Sequence, residues 1–166
     1  LPAVEDATES LGSTYKGQMA GNTGDVACFS VNGNKLITTG GGGMIVTNDQ
    51  DSAKRARYLT TQAKDDPIEY VHDEIGYNYR LSNIQAAMGV AQMEQIDGFI
   101  AKKRTAARAY EVAFASVDGI TTMAAQPETE PVFWLYTVLL PESCTLADLK
   151  KFIGELNESG IGARPL

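Results

Sequence analysis

Two short apolar runs bounded by polar and glycine residues, Asp25-Val-Ala-Cys-Phe-Ser30 and Gly43-Met-Ile-Val-Thr47, flank a loop that ends in four consecutive glycines, Gly40 to Gly43. That arrangement constrains the fold more than any other part of the chain, because each run has the length and residue types of a strand and the glycines can only turn. One lysine, Lys35, stands between the first strand and the glycine turn. The other lysines lie in polar turns or on helix faces: Lys16 in Tyr15-Lys16-Gly17, Lys54 and Lys64 among charges, and the pairs Lys102/Lys103 and Lys150/Lys151 on amphipathic stretches. A lysine amine attacks a carbonyl only when neutral, and an apolar, glycine-walled setting favours that form. The residues alone leave two readings of Lys35 open, a covalent catalytic amine or a cation that merely solvates a surface.

The rest of the chain alternates short elements. Pro2 to Asp6 reads as the end of a buried strand, and Asp51 to Gln62 as a helix with Asp51 or Ser52 near its N-cap. Ser82-Asn-Ile-Gln85 is a capping box. It predicts one long helix reaching about Ala115, with Ile84, Ala87, Met88, Ala91, Ile96, Phe99 and Ile100 at roughly helical spacing. Past Asp118-Gly119 the pattern changes. Phe133 to Leu140 reads as a strand, and Thr145 to Ser159 as a helix with Leu146, Leu149, Phe152, Ile153 and Leu156 on one face and Gly160 just beyond it. The fold class is α/β, with a boundary that divides residues 1–118 from the start of a second, smaller domain at 119–166.

The 166 residues are 43% hydrophobic and 21% charged, an ordinary globular composition. A formal charge of −7 would repel phosphate backbones and anionic lipid, and there is no basic stripe with interleaved aromatics, so nucleic acid and membrane partners are disfavoured. Cys28 and Cys144 lie far apart in differently patterned segments, and no apolar run is long enough to span a bilayer; a reducing cytoplasm fits best. The sequon Asn157-Glu158-Ser159 falls at a helix end and reads as chance. Gly40 to Gly43 lead into a strand rather than a helix, which argues against a nucleotide phosphate loop and leaves a flexible turn, a close approach to the lysine, or both. His72, the single histidine, has no second ligand at metal spacing, so no metal site is expected and its role is unassigned. Leu1 and the run Ala163-Arg-Pro-Leu166 both look like cut ends.

Three ordered motifs carry a family resemblance: Val4-Glu-Asp6-Ala-Thr-Glu9-Ser10-Leu-Gly-Ser13, then Asp25 to Gly43, then Glu74-Ile-Gly-Tyr-Asn78-Tyr-Arg80-Leu-Ser-Asn-Ile-Gln-Ala-Ala87. Together they resemble the DegT/DnrJ/EryC1/StrS sugar aminotransferases, and the likeness continues through Gln92 to Ile96 and Ile161 to Pro165. Thr60 to Lys64 with Tyr70 to Glu74 look most like the enzymes that aminate nucleotide-linked 4-keto-6-deoxyhexoses in bacillosamine and legionaminic acid pathways. The resemblance implies an internal fragment of a fold-type I enzyme dependent on pyridoxal 5'-phosphate (PLP): the later part of the large domain plus the start of the small C-terminal α+β domain. It implies a homodimer, a nucleotide-sugar substrate and an amino-acid donor, glutamate in most of the family. Lys35 matches the lysine that holds PLP covalently, where the family's dehydratase branch carries histidine. Asp6 matches the acid that pairs with the pyridine nitrogen, although a strand-end aspartate capping a turn would look the same. Glu9 falls where many relatives carry glutamine or histidine against the cofactor ring. Ser30 matches a hydroxyl donor to the cofactor phosphate, and Asn78 an amide reaching that phosphate from the neighbouring subunit. Each of these two could equally be a strand polar residue or a turn asparagine. The alternatives are a sugar aminotransferase acting at another ring position and an inactive regulatory or interaction module of the same fold. The fragment by itself is expected to be inactive.

Overall fold

The protein is described by a computed structural model covering residues 1–66 and 68–166. In chain order its elements are β1 (Val4–Asp6), β2 (Thr14–Tyr15), β3 (Gln18–Met19), β4 (Val26–Ser30), β5 (Gly43–Val46), α1 (Gln50–Thr60), α2 (Asn83–Met93), α3 (Ile96–Phe114), β6 (Thr121–Thr122), β7 (Thr129–Glu130), β8 (Val138–Leu139) and α4 (Leu146–Glu158). This is the expected mixture of helices and strands. The chain divides into two compact units: Leu1–Arg108 with Ala125–Leu135, and Ala109–Ala124 with Tyr136–Leu166. The units interleave in sequence, where the reading of the sequence drew one boundary after residue 118.

The first unit is organised by a sheet in the order β1-β4-β5. Strand β1 runs parallel to β4, with Asp6 opposite Cys28, and β5 returns antiparallel to β4, with Ser30 opposite Gly43. Parallel neighbours need a crossover. Here the connection carries a hairpin, β2 to β3, whose two turn residues Lys16 and Gly17 both have positive φ (50° and 74°), as the twist of a tight two-residue hairpin demands. Strand β7 extends that hairpin into a three-stranded sheet. Ala7 and Ala27 are fully buried, and small side chains there keep β1 and β4 close.

The loop between β4 and β5 is ordered by contacts of its own. Val31, Ile37 and Thr39 are buried, the Thr39 N–H donates to Val31 O at 2.9 Å, and the Val31 N–H donates to Gly42 O at 3.1 Å. Gly42 has φ +101° and lies against Leu81, and a Cβ at Gly43 would come within 2.6 Å of Phe29 O. Backbone conformation and sheet packing therefore explain this pair of glycines. Gln92 of α2 clamps the loop from the other side: its Oε1 accepts from the Thr38 N–H at 3.0 Å and its Nε2 donates to Thr38 O at 2.7 Å.

Three elements differ from the sequence expectation. Helix α1 is capped by Asp49 rather than Asp51 or Ser52, because the Asp49 carboxylate accepts from both the Ser52 N–H (2.9 Å) and the Ser52 hydroxyl (2.6 Å). The Ser82/Gln85 capping box forms as expected, but the helix it starts ends at Met93, and a separate α3 begins at Ile96. The expected apolar spacing already slips there, with a step of five positions from Ala91 to Ile96. The two helices also serve different partners: Gln92 holds the β4–β5 loop, while Arg104 of α3 donates to Pro131 O and Glu130 O, both at 3.2 Å. Finally, only Val138–Leu139 of the expected strand 133–140 pairs with another strand, since Phe133 at φ +53° interrupts the extended run.

In the second unit β6 pairs antiparallel with β8. Tyr110, on the last turns of α3, stacks on both Phe114 and Tyr136 at centroid separations of 5.9 and 4.9 Å. Helix α4 is opened by a Thr145/Asp148 capping box, and Gly160 follows it at φ +81°.

Candidate active site

The register of β1 and β4 brings Asp6 and Ser30 to the same edge of the sheet, at the carboxyl ends of two parallel strands, where α/β sheets place their ligands. Glu9 follows β1 and Lys35 follows β4. Their side chains meet there: Lys35 Nζ lies 3.2 Å from Glu9 Oε1, with the lysine side chain 13% exposed and the glutamate 59%. Thr8, Glu9, Ser30, Lys35, Leu36 and Trp134 line a shallow recess of about 10 Å³. That is room for about one water, against ~300–1,000 Å³ in ordinary ligand pockets, so these residues make one wall of a site rather than an enclosure.

Asp6 stands beside this pocket with its charge secured. The Thr8 hydroxyl and then the Thr8 N–H hold its carboxyl below the usual aspartate range, with a smaller contribution from the Lys35 cation. The N–H contact is 3.2 Å long. An exposed carboxylate stabilised this way stays ionised under mildly acidic conditions. It is therefore chemically suited to face a protonated ring nitrogen. Ser30 is turned into its own loop, its Oγ accepting from the Asn32 N–H at 3.4 Å, and the Lys35 N–H closes the same loop on Asn32 O at 3.1 Å. A primary amine, an ionised carboxylate and a hydroxyl at one strand edge are the donor set that PLP requires, and in these residue types the wall fits it.

Asn78 does not line this pocket. It lies on the segment between α1 and α2, exposed and in an antiparallel bridge with Thr61. His72 is in the same segment, with its Nδ1 2.7 Å from Gln62 O and 3.1 Å from Ala63 O, which makes it a clamp on a turn where Gln62 and Ala63 both have positive φ. Among the described residues no group of three or more histidine, cysteine, aspartate or glutamate side chains could hold a metal ion, and no helix is long and apolar enough to cross a membrane.

The sequence reading assigned Trp134 only to a strand. In the structure it covers Lys35, its ring centroid 4.2 Å from the amine, and its Nε1–H donates to Asn34 O at 2.7 Å. The single hint in the sequence was that this is the only tryptophan in the chain.

Known proteins share both sequence and fold with this chain. GDP-perosamine synthase of Caulobacter vibrioides is 42% identical over 167 residues, which cover 100% of this chain and 45% of that protein. Among solved structures, Spr1654 of Streptococcus pneumoniae in its PLP-form matches with a TM-score of 0.88 at 26% identity, over 97% of this chain and 42% of that one. PseC of Helicobacter pylori, an aminotransferase involved in the biosynthesis of pseudoaminic acid, matches with a TM-score of 0.87 at 27% identity, over 96% and 43%. The chain thus spans less than half the length of these relatives. Residues 1–166 match the DegT/DnrJ/EryC1/StrS aminotransferase family from end to end, and the chain belongs to that family.

Proposed function

We propose that the protein acts as a PLP-dependent aminotransferase that moves an amino group from an amino acid, glutamate by preference, to a nucleotide-linked 4-keto-6-deoxy sugar. The observation that carries this reading is the meeting of Lys35, Glu9 and Asp6 at the carboxyl ends of β1 and β4. Names among the relatives support the sugar class: GDP-perosamine synthases match at 42% and 39% identity. When bound, PLP supplies an electron sink for the carbanion that amino transfer develops at the donor Cα.

The residues then have separate tasks. Asp6, kept ionised by Thr8, holds a proton on the ring nitrogen. Lys35 would hold the cofactor through Nζ, and its freed amine would serve as the general base that takes a proton and then as the acid that returns it. Glu9, 3.2 Å from that amine, orients it between these tasks. Ser30 would donate its hydroxyl to the cofactor phosphate, and Asn78 would donate its side-chain amide to it across a two-fold interface with a second subunit. The first compact unit belongs to the large domain of such an enzyme and the second to the beginning of its small domain.

Borohydride reduction of the cofactor-loaded full-length enzyme, followed by peptide mapping, tests the central assignment. The label is expected on Lys35, and a Lys35→Ala variant is expected to lose both label and turnover. A label on another lysine would overturn the reading. Sedimentation is expected to show a dimer or larger assembly, and a stable monomer would remove the role given to Asn78.

A further inference from the structure

Trp134 meets Lys35 through a strap that is held unusually firmly. Val132, two residues earlier, is 2% exposed and donates its N–H to Ser13 Oγ at 3.0 Å. Arg104 grips Pro131 O and Glu130 O, and Lys103 Nζ donates to Trp134 O at 2.9 Å. Between these anchors Phe133 takes φ +53°, a conformation that a bulky side chain adopts only when its surroundings impose it. Its consequence is local: the chain turns sharply and delivers the indole, 8% exposed, onto the loop that carries Lys35. There the ring makes one directional bond, Nε1–H to Asn34 O at 2.7 Å, on the residue immediately before the lysine. The ring face is left toward the amine, 4.2 Å away.

We propose that Trp134 is a positioning residue for Lys35, its ring N–H fixing the indole to the lysine's own loop and its face holding the amine at the pocket wall. The proposal deepens the reading of Lys35 as the reactive amine and rests on it for its functional meaning. The two partners of the amine do different things. A carboxylate such as Glu9 binds an ammonium through directional hydrogen bonds, whereas an aromatic face attracts it over a broad area. An amine backed by the ring can therefore shift between positions without leaving its site, which a lysine that must alternately anchor and release a group requires.

The contact can be read without any cofactor. In protein labelled with carbon-13 lysine, the Lys35 ε-methylene protons are expected upfield of those of Lys150, because they lie in the shielding cone of the Trp134 ring; Lys35→Arg identifies the signal. Trp134→Leu is expected to return it to the position of the unstacked lysines, and Trp134→Phe to keep part of the displacement. Lys64 over Tyr70 (3.9 Å) and Lys16 over Tyr15 (5.2 Å) report folding in the same spectra and are expected not to move. Competitive acetylation read by mass spectrometry is expected to label Lys35 severalfold faster in Trp134→Leu and at nearly the parent rate in Trp134→Phe, the scale a ring–cation contact supplies. A Lys35 signal that is not displaced in the parent, or is unchanged in Trp134→Leu while Lys64 and Lys16 keep their positions, overturns the proposal. Should Trp134→Leu disturb those two controls, an unchanged displacement in Trp134→Phe overturns it instead. Borohydride label on another lysine would remove the catalytic role of Lys35 and leave this contact standing, so the two failures are distinguishable.

Discussion

The loop between β4 and β5 and the segment between α1 and α2 are both polar, glycine-containing connections that the sequence singles out, yet they are built in opposite ways. The first hides its apolar residues: Val31 and Ile37 are buried, Trp134 covers Lys35, and Gln92 clamps Thr38. The second turns several large apolar residues outward, with Ile75 82% and Tyr79 72% exposed, and is held by polar contacts instead. Asp65 accepts from the Tyr58 hydroxyl at 2.8 Å and from the Asp73 N–H at 2.8 Å, Arg55 pairs with Glu74, and His72 closes on Gln62 O. Burial, and then Asp65, push the Tyr58 hydroxyl up to about 12, so it remains a donor throughout the physiological range. The contrast separates a wall whose geometry is set within the unit from a surface that leaves large apolar side chains exposed. Chemistry that depends on exact placement belongs on the first; contacts supplied by an assembly belong on the second.

The sharpest way to break this contrast is at Asp6, which lies beside the first region and is itself exposed. Asp6→Asn is expected to lower turnover of the cofactor-loaded full-length enzyme on the order of a hundredfold, the scale on which a preorganised charge at a reacting centre acts. Its thermal midpoint should barely move, because the side chain packs against little. Steady-state kinetics alongside a melting curve checks both halves. A variant with parent turnover would show that the carboxylate only caps the turn through the Thr8 N–H.

A smaller effect is expected from the clamp. Gln92→Ala leaves the Thr38 N–H and C=O, both in part-buried surroundings, without their partner. Unpaired polar groups of this kind cost about 1–3 kcal/mol, so denaturant unfolding should show a loss on that scale. If the loop is positioned from within, the variant should also lose catalytic rate more than substrate affinity. Unchanged stability would mean that the buried Val31 and Ile37 hold the loop alone.

Much of this was legible because it depends on short-range chemistry. The strands flanking Lys35, the Ser82/Gln85 box and the helix opened by Thr145 each follow from residues a few positions apart. What the sequence hid depends on contacts across the chain. The break between α2 and α3 separates a helix clamped to Thr38 from one that grips Pro131, and the slip in apolar spacing before Ile96 is its one local sign. Strand 133–140 was overcalled because Phe133 takes a conformation that its residue type disfavours. Trp134 was missed as a wall of the site for the same reason, since its partner Asn34 lies 100 residues away. Asp6, Glu9, Ser30 and Lys35 were named through the resemblance, and the pairing of β1 with β4, which no short-range pattern states, is what brings them to one sheet edge; Asn78 was named the same way and does not join them.

The weakest expected effect sharpens the comparison from the exposed side. Arg55 donates to both carboxylate oxygens of Glu74, and this bond, more than the charge attraction, holds the Glu74 carboxyl below the usual glutamate range while raising the guanidinium's own affinity for its proton. A carboxyl bound more weakly to its proton in the folded state stabilises that state fully above its unfolded value, and the contribution fades as pH falls through the lowered folded value. Glu74→Gln should therefore melt slightly below the parent near neutral pH, and the gap should close as the solution is acidified past the glutamate range. Because the pair is solvent-exposed, added salt should shrink the gap as well. A gap that persists in acid would mean that Glu74 serves the segment by shape rather than charge, and would make the outer region more like the inner one than its polar clamps suggest.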